Sequence, residues 1–148
     1  MIEKVDGIVI SSIDFKESSK ILKIFTKKYG IISVISKGCK KIKSNLRVVS
    51  EDITYISFTM YYKKDKISTL TEGNILNYYK NIKEDIIKIS YVRYILDLSE
   101  QVYQQNSNKE IFDLVIGAFN LIERNLDPKV IANIIELKLL NYLGVGIN

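Results

Sequence analysis

With 148 residues, one cysteine and no histidine, this chain has room for one domain or two small ones, and it excludes an intrachain disulfide, a Ser-His-Asp or Cys-His site and a His-x-Glu deaminase site. Its 47% hydrophobic and 26% charged residues are ordinary for a soluble globular protein, and a chain this long can bury roughly 70% of its unfolded surface without a metal or disulfide staple. The net charge of +5 is unevenly divided: residues 1–80 carry 15 Lys/Arg against 8 Asp/Glu, a net of +7, and residues 81–148 carry 7 against 9, a net of −2.

The start, MIEKVDGIVI, puts charges inside the first apolar run, unlike a secretory signal. No apolar run reaches the ~18 residues of a membrane span. A cytoplasmic chain without a membrane partner is expected. Residues 4–76 read as short strands broken by turn signals, with runs at about 5–13, 21–26, 31–37, 53–62 and 67–76. Lys27, Lys28, Tyr29 and Gly30 make a tight loop between the second and third runs, with Gly30 able to turn left-handed. The fourth run is the clearest. Ile56, Phe58, Met60 and Tyr62 alternate with Tyr55, Ser57, Thr59 and Tyr61, the period of a strand with one face inward. Lys63, Lys64, Asp65 and Lys66 turn the chain into the fifth run. Five short strands predict a small barrel, and both an OB-fold and an SH3-like barrel fit the spacing.

After residue 77 the period becomes helical. Asn81 and Glu84 have capping-box spacing ahead of Ile82, Ile86, Ile89, Val92, Leu96 and Tyr103. Ser107 and Glu110 repeat that spacing ahead of Ile111, Leu114, Val115, Ala118, Leu121 and Ile122. Asp127 and Pro128 read as an N-cap and first helical residue, ahead of Ile131, Ile134, Ile135, Leu139, Tyr142 and Leu143, with Gly144 as the C-cap. The expected architecture is therefore α+β: a five-stranded barrel over residues 1–80, then three antiparallel helices over residues 81–148.

The basic residues concentrate between residues 14 and 47. Lys16, Lys20, Lys23, Lys27, Lys28, Lys37, Lys40, Lys41, Lys43 and Arg47 lie there on or between strands, against only Asp14 and Glu17. A cationic β-surface is what a polyphosphate backbone needs. Tyr29 joins this set as a residue on which a base can stack, and Tyr55 and Tyr61 are further stacking candidates. Tyr78, Tyr79, Tyr91, Tyr94 and Tyr103 read as core or interdomain residues. Glu17, Ser18 and Ser19 have no base partner at a catalytic spacing, and Glu17 is expected to pair with a neighbouring lysine. Cys39, without a second cysteine, reads as structural. Residues 38–44, GCKKIKS, lack the first glycine and the Gly-Lys-Ser/Thr ending of a phosphate loop, which excludes nucleotide hydrolysis by that motif. No catalytic residue, metal ligand or cofactor is expected.

The order Asp14-Phe15-x-Glu17-Ser18-x-Lys20, then Phe25-Thr26 with Gly30, then Lys37-Gly38 and a basic run ending in Ser44, resembles the N-terminal domain of the RecO family of bacterial recombination mediator and DNA repair proteins. The resemblance favours the OB-fold. It implies a non-enzymatic protein that binds single- and double-stranded DNA, anneals complementary strands and helps load the recombinase onto single-stranded DNA. It also implies RecR and the acidic tail of the single-stranded DNA-binding protein as partners, and a nucleoid-associated location. In the family the helical domain continues past the equivalent of residue 148, and many members carry a four-cysteine zinc site there. The chain is thus expected to be short of the family's length, with no zinc site carried over. Two other readings fit a basic barrel: a module for structured RNA or ribosomes, and an adaptor that docks acidic protein tails.

Overall fold

The first strand sets the shape of the N-terminal half. In the computed structural model, which describes residues 1–144, β1 spans Ile2–Phe15 and serves two neighbours. Its first part pairs antiparallel with β4 (Thr54–Tyr61), from Ile2 opposite Tyr61 to Val9 opposite Thr54. Its second part pairs antiparallel with β2 (Ser19–Thr26), from Gly7 opposite Thr26 to Phe15 opposite Ser19, with the register slipping between Val9 and Ser11. An extra residue of this kind bends a strand and increases its twist, which lets one strand close a barrel. Gly7 lies close against β2. A Cβ there would come within 2.6 Å of Ile24 Cγ2 and 2.9 Å of the Phe25 carbonyl oxygen.

β3 (Gly30–Ser36) pairs antiparallel with β2, and β5 (Ser68–Asn77) pairs antiparallel with β4. Parallel pairing of β3 with β5, Val34 opposite Ser68 and Ile35 opposite Thr69, closes the barrel in the order β1-β2-β3-β5-β4. This is the five-stranded Greek-key barrel of an OB-fold, so the SH3-like alternative falls away. The alternation read from the fourth run holds: Ile56, Phe58 and Met60 are buried and join Val5, Val9, Leu22, Ile24, Val34, Val49 and Leu70 in one core. Residues 37–53 connect β3 to β4 through successive turns. They are tied to the barrel by Ser36 and Ser50 sharing a buried hydroxyl–hydroxyl bond of 2.8 Å, by Ile53 N donating to the Val9 carbonyl at 2.8 Å, and by Ser12 Oγ donating to Asp52 at 2.7 Å.

The chain divides after Tyr78. The second unit holds four helices among the described residues: α1 (Lys80–Lys83), α2 (Ile86–Gln105), α3 (Glu110–Glu123) and α4 (Pro128–Asn141). The three long ones were expected, but two of their starts differ from the expected capping boxes. Asn81 and Glu84 do not open the long helix. The Asn81 and Ile82 amides donate to the Glu123 carboxylate, at 3.0 Å each, so α1 is a single turn held by α3. Asp85, in extended backbone, then caps α2 by accepting from Ile87 N and Lys88 N. Ile86, expected on the core face, is 82% exposed. Ser107 does not cap α3 either: its hydroxyl donates back to the Tyr103 carbonyl, and Asn108 Oδ1 accepts from Glu110 N instead. The third start is as expected, with Asp127 accepting from Lys129 N at 2.9 Å and Pro128 in the first turn. Gly144 is left-handed at φ 75°, but α4 ends earlier, at the cap Tyr142. Tyr79 is fully buried here and meets Phe119 edge-on, with ring centroids 5.3 Å apart. No helix of the described residues is long and apolar enough to cross a membrane.

Candidate nucleic-acid interface

The strand registers place the basic residues at two ends of the barrel. At one end the β1–β2 turn carries Lys16, whose ammonium lies 5.3 Å from the Phe15 ring centroid. Lys20 follows on β2, opposite Asp14 and Ser36. The turn after β3, with Lys37 and Lys40, is fastened beside them: Gly38 N donates to Ser19 Oγ at 3.0 Å and Lys40 N to the Ser18 carbonyl at 2.9 Å. Gly38 makes this turn at φ 68°. Lys41, Lys43 and Arg47 continue, exposed, along the connection to β4. Lys40 Nζ pairs with Asp14 at 2.9 Å, and that hydrogen bond holds the Asp14 carboxyl below its ordinary value. The ion pair expected of Glu17 is thus made by Asp14, because the β3–β4 connection folds back onto the last residues of β1. Cys39 is buried in the same turn.

The β2–β3 turn lies at the other end, seven residues along β2 from Ser19 to Thr26, or about 24 Å at strand rise. It carries Lys27, Lys28 and Tyr29, with Gly30 left-handed as the sequence suggested. Thr26 Oγ1 donates to the Gly30 carbonyl and accepts from Tyr29 N, each at 2.9 Å, which draws Tyr29 back from the tip. Its ring stacks on Tyr62, with centroids 4.2 Å apart and planes inclined by 23°. Glu3, on β1, accepts from both Lys28 Nζ, at 2.8 Å, and the Tyr29 hydroxyl. The Lys28 hydrogen bond is the main cause of a lowered Glu3 pKa, and the Glu3 carboxylate raises that of Tyr29. Tyr29 is therefore a braced wall residue. Lys23 lies between the two ends, opposite Ser11 and Ser33.

A third cationic turn, between β4 and β5, lies outside the stretch 14–47 that the sequence marks. Lys63, Lys64 and Lys66 are exposed there, beside the Tyr29–Tyr62 stack. In the sequence they mark only a turn, whereas the pairing of Ile2 with Tyr61 brings the end of β4 to the β2–β3 end of the barrel. Between β3 and this turn lies a cleft of about 390 Å³. Tyr55 and Tyr61 lie outside it, on the outer face of β4. The arrangement is two sets of cationic turns joined across the β2–β3 face. In OB-folds that face, with the β1–β2 and β4–β5 loops, carries oligonucleotides and oligosaccharides. Among the described residues no group of His, Cys, Asp and Glu could hold a metal ion.

Fold and site together define a two-part protein: an OB-fold with cationic turns at both ends, followed by a helical unit. Residues 1–79 match the family Recombination protein O N terminal, and residues 83–148 match Recombination protein O C terminal. The chain belongs to the RecO family. It is 33% identical over 146 residues to the DNA repair protein RecO of Halalkalibacterium halodurans, covering 98% of this chain and 57% of that protein. It is 31% identical over 144 residues to the protein of the same name in Listeria monocytogenes, covering 97% and 56% respectively. A further relative in Shouchella clausii is 32% identical over 145 residues, 97% of this chain and 56% of that one. The chain thus spans a little over half the length of these curated relatives.

Proposed function

We propose that this chain is a non-enzymatic DNA-binding protein of recombinational repair, whose barrel, residues 1–80 in the expected division, holds DNA backbones through its cationic turns. The observation that carries this is the placement of lysines at both ends of one OB-fold face: Lys16, Lys37 and Lys41 at one, Lys27, Lys63 and Lys66 at the other. A backbone crossing the face meets positive charge at entry and exit. Lysines that neutralise two strands at once reduce their mutual repulsion, so complementary strands can anneal without a nucleotide cofactor. Relatives named as DNA repair proteins support the same reading. Aid to recombinase loading, with RecR and the tail of the single-stranded DNA-binding protein as partners, follows as its finer part.

The test is a salt-titrated affinity series with single-stranded DNA, duplex DNA and RNA of matched length. Salt-dependent, sequence-independent binding to both DNAs is the expected result. A preference for RNA favours the ribosomal or RNA-module reading. Negligible binding to all three, with tight binding of an acidic peptide, favours the adaptor reading.

A further inference from the structure

We propose that the cleft between β3 and the β4–β5 turn is a pocket for one nucleobase of a single DNA strand. This rests on the DNA-binding reading above and adds a base, in place of a phosphate, as the group recognised. The cleft's volume of about 390 Å³ falls within the ~300–1,000 Å³ of small-ligand pockets.

Its lining combines two chemistries. Tyr29 and Tyr62 supply stacked rings, and a planar base can extend such a stack whatever its identity. Lys63 and Lys66, on the adjoining turn, stand where the flanking phosphates of the same strand would run. Asp65 lines the cleft as well. A carboxylate there disfavours a phosphate beside it, which suits the uncharged base.

The walls are set before any ligand arrives. Glu3 holds Tyr29 by its hydroxyl and Lys28 by its ammonium. Tyr62 N donates to the Met1 carbonyl at 2.7 Å. Lys63 N donates to Ser68 Oγ at 3.0 Å, fixing the turn against β5. Walls already ordered reduce the entropy lost on binding.

The experiment measures fluorescence anisotropy of a labelled oligothymidylate and of an abasic oligomer of equal length, with the whole chain, at one salt concentration. The variants are Tyr62→Leu, which keeps apolar bulk where the ring packs against the barrel core, and Tyr62→Phe, which keeps the ring. The wild type is expected to favour the oligothymidylate. Tyr62→Leu should lose on the order of 5- to 150-fold for it, the worth of one stacked base, and nothing for the abasic oligomer. Tyr62→Phe should retain the wild-type preference. Equal losses on both oligomers, or no loss on the oligothymidylate, would overturn the proposal, as would tighter binding of an RNA oligomer. Abasic binding with no preference for bases removes the pocket and leaves the DNA-binding reading standing. Failure of both oligomers to bind the wild type overturns both.

Discussion

Reversing two charges on the β4–β5 turn, Lys63→Glu with Lys66→Glu, should change the salt dependence of DNA binding by a calculable amount. With about five phosphates neutralised by the wild type, the log–log slope for a single strand is about −3.5, or roughly a 130-fold loss between 50 and 200 mM salt. Removing two of those contacts brings the slope to about −2.1 and the loss to roughly 18-fold. The turn should survive the change. Lys63 N to Ser68 Oγ at 3.0 Å and Lys66 N to the Lys63 carbonyl at 3.4 Å are backbone-donated bonds that do not use the lysine ammoniums. Lys28 and Lys40 are poorer choices, because each is paired with a carboxylate, Glu3 or Asp14. The assay is anisotropy at four or more salt concentrations, with circular dichroism melting on the same preparations. Lys37→Glu with Lys41→Glu, at the opposite end, should lower the slope by the same amount if one strand spans the face. A folded β4–β5 variant with an unchanged slope would refute the placement of the backbone at that end.

Acid should weaken the Glu3 brace. Lys28 and Tyr29 lower the Glu3 pKa in the folded chain, so its contribution is full above the ordinary value of 4.5 and is lost as pH falls through the lowered one. Melting temperature should therefore drop on acidification, and Glu3→Gln should flatten that drop; equal acid sensitivity of the two proteins would remove Glu3 as its source. Gly7→Ala should destabilise the barrel by about 1–3 kcal/mol, as overpacking does, because the added methyl meets the Phe25 backbone at 2.9 Å; an unchanged urea midpoint would contradict this. On α4, Val130, Ile134 and Leu137 are 50%, 44% and 53% exposed, one apolar stripe at helical spacing. Light scattering over a concentration series should show self-association that Ile134→Lys with Leu137→Lys abolishes, and a strictly monomeric wild type would count against it.

The strands were legible because alternation in them is a physical necessity. Phe58 and Met60 can be buried together only if Ser57 and Thr59 point out, and that pattern survives in the letters. Gly30 was legible for the same reason, since its φ of 71° is cheap for glycine. The helix starts were less so. A capping box needs only a short-range match, and Asn81 had a better partner in Glu123, forty-two residues away. The grouping of the cationic turns was half legible. Lysine density marked residues 14–47, but density says nothing about which turns share an end of a barrel. The Tyr29–Tyr62 stack and Lys63 and Lys66 become neighbours only through the long pairing of β1 with β4. The one available signal was a second lysine cluster, at residues 63–66, after the strongest strand.

The barrel's closure has a consequence for its motions. β1, β2 and β4 are joined along most of their length, whereas β3 and β5 meet at two residue pairs, Val34 with Ser68 and Ile35 with Thr69. Local opening begins where the fewest backbone bonds must be given up, so the cylinder has a built-in zip at this seam. In hydrogen exchange the amides flanking it should be the first of the barrel to take up deuterium, well ahead of those in the β1–β4 ladder. The cleft beside Ile31 and Ile67 borders the seam, so a strand lodged there would act as a sixth stave, slowing exchange on both sides without altering the strand order.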